Sequence, residues 1–181
     1  MSNGFTAREN SSLEFELSLV NQQTLHAVDE PQLLAAARRV LEESSFSSAV
    51  ISLAVVDDAT IHALNLRFLA HDYPTDVLSF ELDRRGDHLE GEVVVSAETA
   101  VSSAAQWGWS AAEELLLYVI HGMLHLVGHG DKSAADAHQM RAAEERHLRA
   151  SGIHLRQEKA AHRGGENLIH KSPLAGGIGI P

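Results

Sequence analysis

The sequence predicts an α+β fold, in which a single domain combines a mixed β-sheet of about four strands with about five helices. Three observations lead to this fold class. The chain has 181 residues, enough for one hydrophobic core. The strand patterns are grouped in the first half of the chain. One helix of the second half is so apolar that we expect it to be buried at the centre, where it carries a predicted metal site.

Short apolar stretches rich in β-branched residues predict the strands. Leu13–Val20 alternates apolar and polar residues, as does a strand with one solvent-facing side. Ala49–Val56 is almost continuously apolar and predicts a central strand. Two shorter strands are predicted at Val77–Glu81 and Glu92–Ser96, with the polar sequence DRRGD as a turn between them.

Capping residues and apolar periodicity predict the helices. The first follows Asp29, a capping residue, and has Pro31 in its first turn. Ser110 and Glu113 form a capping box at the start of the fourth, which Gly128 can end. The helices after the first are predicted at about Ala59–Leu69, Ala97–Trp107, Ser110–Val127 and Ser133–Arg149.

The domain organisation follows from composition. Residues 13–150 are expected to form the domain, after a flexible N-terminus over residues 1–12. Glycine and proline punctuate residues 151–181, which predicts a disordered tail. No apolar run approaches the roughly 18–20 residues of a membrane span, and the N-terminus lacks the features of a signal peptide. We therefore expect a cytoplasmic protein with no membrane partner.

Charge and cysteine content restrict the chemistry. A net charge of −11 counts against binding nucleic acid through a broad basic face, so any such binding should use a local cleft or a partner. The chain has no cysteine. A disulfide-linked partner and a thiolate metal site are thereby excluded, and a metal ion would need histidine and carboxylate ligands.

The end of the fourth helix carries the strongest chemical signal. His121 and His125 stand four residues apart on one helical face, so their rings can reach the same metal ion. Two buried histidines without a partner would be costly, and an ion removes that cost. Gly128 then reverses the chain, so that Asp131 can return to the same ion. His129 is the rival third ligand.

The other histidines are interpreted as solvated surface side chains. His138 and His147 lie among charged residues on the last helix. The remaining seven lie in polar segments: His26, His62, His71, His88, His154, His162 and His170.

Three sequence blocks resemble the YbeY family. Residues 121–129, HGMLHLVGH, resemble its signature H-G-x-L-H-L-x-G-[YH]-D-H. Residues 74–80, PTDVLSF, resemble its P-T-D-V-L-S-F strand, and Leu64-Asn65 upstream also fits. Residues 91–96 resemble its G-D-[IV]-x-[IV]-S strand. This resemblance implies a cytoplasmic endoribonuclease, specific for single strands, that matures rRNA, notably the 3′ end of small-subunit rRNA, and acts in ribosome quality control. It also implies one zinc ion per chain, held by three histidines of the signature, and partnership with rRNA and the small ribosomal subunit.

The chain departs from the family pattern at three positions. Gly130-Asp131 replaces the final Asp-His of the signature, so Asp131 takes the place of the third histidine ligand. Leu69 stands where the family commonly has an arginine that is believed to support phosphate chemistry, and Arg67 on the same helix points elsewhere. Glu92 for the family's aspartate is a mild change.

These residues bear on three possible functions. The first is a zinc-dependent endoribonuclease whose metal is held by His121, His125 and Asp131. The alternative is a ribosome-assembly factor of the same fold with weak or no catalytic activity, favoured by Leu69 and the negative charge. Peptidase activity is disfavoured, because Gly122 stands where zinc proteases carry their general-base glutamate.

Overall fold

The structure, a computed structural model, describes residues 13–154. This part of the chain forms four strands and five helices: β1 (Glu14–Asn21), α1 (Glu30–Glu42), β2 (Ser48–Val56), α2 (Asp58–Leu69), β3 (Val77–Arg85), β4 (His88–Ser96), α3 (Ala97–Trp107), α4 (Ala111–Leu126) and α5 (Ala134–Ala150). The strand order is β1-β2-β4-β3. Strand β2 is parallel to β1 and β4, whereas β3 is antiparallel to β4. The predicted α+β class with a mixed sheet is confirmed.

The helices begin where their capping residues predict. The Asp29 side chain accepts a hydrogen bond from the Gln32 backbone N–H at 3.0 Å. The capping box of α4 is complete: Glu113 N–H donates to Ser110 Oγ at 3.2 Å, and Ser110 N–H donates to Glu113 Oε2 at 2.7 Å. Both bonds satisfy amide groups that a helix start leaves without internal partners. Gly128, with φ of 106°, follows the end of α4.

Helix α4 lies at the centre of the molecule. It contacts β3 and β4 on one side and α1, α3 and α5 on its other sides. Its large apolar residues are buried, and Leu116, Tyr118, Ile120, Met123 and Leu124 are almost fully so. The functional segment at its C-terminal end is therefore held by packing on several elements. Within residues 13–154, none of the helices is both long and apolar enough to cross a membrane.

The β3–β4 hairpin is longer than predicted. The sequence DRRGD was interpreted as a turn, but only Gly86 and Asp87 form it, and residues 83–85 continue β3 past a bulge. Arg84 donates to the Leu126 backbone oxygen at 2.7 Å, and its guanidinium lies 4.8 Å from the ring centre of Phe46. These contacts with distant segments stabilise the polar end of β3, which the local sequence does not predict as a strand.

The domain extends a few residues beyond the predicted boundary. The tail was predicted to begin at residue 151, but Ile153 packs against the core, and Ser151 Oγ accepts a hydrogen bond from Arg39 at 2.7 Å. Residues 1–12 and 155–181 lie outside the described residues, as do His162 and His170.

The surface interpretation of His147 is wrong. Its side chain is only 1% exposed. Residue 147 is in phase with Met140, Ala143 and Glu144, all buried on the face of α5 that meets α4. Its Nε2 lies 3.6 Å from Glu43 Oε2 on α1, so a carboxylate compensates part of the cost of burial. His26, His138 and His154 are exposed, as predicted.

Candidate metal centre

Three possible ligands converge between the end of α4 and the loop that follows it. His121 Nε2 and His125 Nε2 are 2.8 Å apart. Asp131 Oδ2 lies 3.7 Å from His125 Nε2. One ligand atom from each residue lies within 4.8 Å of the others, close enough for all three to hold one metal ion. The structure thus brings the predicted set together.

The second nitrogen of each ring has a hydrogen-bond acceptor. His125 Nδ1 donates to the His129 backbone oxygen at 2.9 Å. His121 Nδ1 donates to Glu144 Oε1 at 2.6 Å. A neutral imidazole has one N–H, so these bonds leave the lone pair on Nε2 of both rings. Two lone pairs facing each other repel unless a proton or a metal ion lies at the site. The donor set, two imidazole nitrogens and one carboxylate, is one that zinc accepts.

The turn after α4 positions the loop ligands. Gly128 N–H donates to the His125 backbone oxygen at 3.0 Å, and His129 N–H donates to the Leu124 backbone oxygen at 2.9 Å. These bonds return the chain along the helix end and place Asp131 at the two histidines. The positive φ of Gly128 is a conformation that residues with a Cβ rarely adopt.

The side chain of His129 lies in a different environment from its backbone oxygen. Partial burial and the nearby Arg146 lower the pKa of His129 below its ordinary value. His129 in turn lowers the pKa of the buried His147, whose main cause of depression is its own burial. The ring thus interacts electrostatically with two side chains of α5, and among residues 13–154 the group of converging ligand atoms does not include it.

Sequence reasoning missed Glu144. This residue of α5 is 4% exposed, and its carboxylate accepts the hydrogen bond from His121. A carboxylate behind a metal-binding histidine fixes the orientation and the tautomer of the ring. The available signal was its spacing of four from Met140, which places an acidic residue on the buried face of α5.

Gly122 marks a close contact between α4 and the sheet. A Cβ at this position would lie 2.5 Å from Val93 Cγ1 and 2.9 Å from Ser79 Oγ. Ser79 Oγ also donates to the Gly122 backbone oxygen at 3.1 Å. Position 122 therefore faces the sheet and has no room for a glutamate, and β3 lies directly beside His121.

No positively charged side chain occupies position 69, where the family commonly has an arginine. Leu69 packs against an apolar cluster between α2 and the sheet. The guanidinium of Arg67 lies 5.1 Å from the ring centre of Phe68. Asn65, fully buried on the same helix, donates from Nδ2 to the Tyr73 backbone oxygen at 2.8 Å and so holds the loop before β3.

Glu92 lies on the sheet face opposite α4. Its neighbours in the sequence, Val93 and Gly91, face α4, and side chains alternate between the two faces of a strand. The carboxyl group is 6% exposed, and this burial raises its pKa to about 7. The glutamate in place of the family's aspartate therefore affects the stability of the sheet. It lies on the face opposite α4 and does not take part in the candidate metal centre.

Comparison with known proteins agrees with the resemblance seen in the sequence. The family described as Endoribonuclease YbeY matches residues 18–152. A protein named Endoribonuclease YbeY from Rhodopirellula baltica is 42% identical over 132 residues, which cover 67% of this chain and 68% of that protein. Another of that name, from Moorella thermoacetica, is 38% identical over 154 residues, which cover 76% of this chain and 98% of that protein. The chain belongs to the YbeY family.

Proposed function

We propose that this protein is a zinc-dependent endoribonuclease that cleaves single-stranded RNA. The observation that carries the proposal is the pair of Nε2 lone pairs of His121 and His125, which face each other with the Asp131 carboxylate beside them. The relatives' name supplies the reaction class, hydrolysis within an RNA strand.

Some residues of the centre would bind the ion directly, and others would orient those ligands. His121, His125 and Asp131 would be its ligands, with His129 outside the ligand set. Zinc, when bound, supplies Lewis-acid polarisation of a phosphoryl oxygen and lowers the pKa of a water molecule. Glu144 keeps the Nδ1 proton of His121 in place, and the His129 backbone oxygen does the same for His125. Both rings are thereby oriented before the ion arrives.

Hydrolysis of peptides is not supported by the site. Position 122, where zinc proteases carry a general-base glutamate, is filled by the contact with Val93 and Ser79. Cleavage of a phosphodiester does not require a glutamate at this position, because the ion itself can activate water and polarise a phosphoryl oxygen.

We further infer that the substrate is rRNA, with the small ribosomal subunit as partner and the cytoplasm as location. The net charge of −11 supports this choice, because the chain alone should bind free RNA weakly. A ribosomal partner would present the strand to the centre. Family membership supports the same reading over an assembly factor without activity.

Metal analysis combined with RNA cleavage tests the function. The purified full chain should hold close to one zinc per chain and cut a single-stranded RNA, and a chelator should abolish the cleavage. His121→Ala and His125→Ala should lose both the metal and the activity, whereas His138→Ala, an exposed histidine of α5, should retain them. Full metal occupancy in the His121/His125 double variant would refute the site. Zinc binding without cleavage of free RNA or of RNA in small subunits would favour the assembly factor.

A further inference from the structure

The loop between α2 and β3 carries a stacked pair of rings. The centres of His71 and Tyr73 are 5.3 Å apart, and their planes differ by 12°. The side chain of Tyr73 is 43% exposed, so much of its ring is accessible to another molecule. We propose that this pair is a stacking platform for an unpaired base of the RNA substrate. The inference rests on the proposed function and specifies where the strand lies.

The platform is held in place by its own helix. Asn65 binds the Tyr73 backbone oxygen, and Ala70, in the left-handed region at φ of 60°, donates its N–H to the Leu66 backbone oxygen at 3.0 Å. Asp72, which lies between the two residues in the sequence, has its Oδ1 2.8 Å from His62 Nε2 on α2. A ring that is fixed before binding loses little conformational entropy when a base stacks on it.

The platform lies a few residues before the part of β3 that contacts α4 beside the candidate metal centre. Tyr73 is four residues before Val77, whose Cγ2 would lie 3.0 Å from a Cβ at Gly122, the neighbour of His121. Four residues span at most about 14 Å. Thr75, between them, is buried, so the loop turns onto the body immediately before β3. The loop with the rings thus leads directly into the strand that contacts α4 at Gly122, and the proposal places one RNA strand across the loop and the ligands.

The net charge of −11 makes stacking on an aromatic ring a better means of holding RNA than phosphate binding over a broad basic surface. Leu69 stands at the position of the family's arginine. Four of the arginines between residues 13 and 154 form ion pairs with carboxylates: Arg84 with Glu81, Arg85 with Asp83, Arg146 with Glu43 and Arg149 with Glu145. Stacking between a base and an aromatic ring does not depend on a charge on that ring, and it accepts every base because every base has a π-face.

Variants of Tyr73 test the platform in the full chain. Tyr73→Ala and Tyr73→Leu remove the ring, and Tyr73→Phe keeps it. Leu25→Ala, at another exposed apolar side chain, is the matched surface control. The probe is a short single-stranded RNA with a fluorescent adenine analogue. Cleavage by the zinc-loaded protein gives KM and kcat, while quenching of the analogue by the chelator-treated protein reports stacking without cleavage.

Loss of the ring should raise KM and the dissociation constant about 5- to 100-fold, as expected for one stacked base, with little change in kcat. Quenching should disappear in the Ala and Leu variants. The Phe variant and the Leu25 control should stay within about twofold of the original protein. Unchanged KM and quenching in folded Tyr73→Ala would overturn the platform and leave the proposed function standing, as would an equal loss in Tyr73→Phe. If the original protein neither binds nor cuts RNA, whether free or in small ribosomal subunits, both proposals fail.

Discussion

At the scale of single residues, the candidate metal centre combines local and distant contributions. The spacing of His121 and His125 brings two imidazoles together within one helical turn, which any helix would do. Their usefulness as ligands depends on what each Nδ1 binds. Glu144, 23 residues from His121, and the backbone oxygen of His129 set the two tautomers. Affinity for the ion should therefore depend on residues that do not touch it.

Removal of the Glu144 carboxylate should weaken zinc binding about 10- to 100-fold, because His121 loses the acceptor that fixes its ring and its tautomer. Competition with a chromophoric chelator measures this for Glu144→Ala. Glu145→Ala, at a half-buried neighbour paired with Arg149, is the control and should bind zinc as the original protein does. Equal affinities in the two folded variants would show that Glu144 has no such role.

The third ligand can be identified by exchange of side chains in the loop. Asp131→Ala should reduce zinc occupancy strongly, since it removes the carboxylate 3.7 Å from His125 Nε2. Asp131→His should retain the metal, because imidazole is an equally accepted ligand. His129→Ala should leave the metal content nearly intact, since its ring is not among the converging ligand atoms. Metal lost from His129→Ala but kept in Asp131→Ala would reverse the assignment.

At the scale of secondary structure, α4 and the β3–β4 hairpin form the frame of the site. Gly122 allows α4 to approach the sheet closely, and Ser79 binds its backbone oxygen. Further along, Arg84 of the hairpin binds the last turn of the helix. Through these contacts, the strand that resembles the P-T-D-V-L-S-F block becomes a neighbour of the metal centre.

Gly122→Ala should destabilise the protein by about 1–3 kcal/mol, because its Cβ would overlap Val93 Cγ1 and Ser79 Oγ and force the helix away from the sheet. Urea denaturation with chelator present measures this without a contribution from zinc binding. Gly130→Ala is the control, since its Cβ would come no closer than 3.6 Å to Asp136. A free energy of unfolding unchanged in Gly122→Ala would mean that α4 and the sheet are not in such close contact.

At the scale of the whole molecule, the two faces of the sheet are covered by different helices and carry different candidate sites. Helices α1 and α4 cover one face, and α4 carries two of the three residues that could hold a metal ion. Helix α2 covers part of the other face and leads into the loop with His71 and Tyr73. Glu92 is buried on this second face, paired in the sheet with Ser52 and Phe80. Its raised pKa makes stability depend on pH.

Glu92→Gln should stabilise the protein at pH 8 and have little effect at pH 4.5. The folded-state pKa of about 7 lies above the ordinary value of 4.5, so between these values the folded protein binds more protons than the unfolded chain. Stability therefore falls as pH rises through this window, by at most about 3 kcal/mol. Denaturation at the two pH values measures the difference. Glu16→Gln, on the same face but exposed, controls for net charge, and an equal response of both variants would contradict the assignment.

The sequence alone determined the fold class, the helix starts and the histidine pair, because each depends on residues close together in the chain. Capping by Asp29 and Ser110 and the i, i+4 spacing of His121 and His125 are local properties. The length of the hairpin was not predictable in this way, since Arg84 is held by Leu126 and Phe46.

Only the tertiary structure decided which polar residues are buried and what they bind. His147 was predicted to be a surface residue because its sequence neighbours are charged, yet it lies on the face of α5 that packs against α1 and α4. Glu144 gained its role because the same packing brings it to His121. Burial depends on which faces of distant elements meet, and that information is not contained in the charge or the spacing of a single segment.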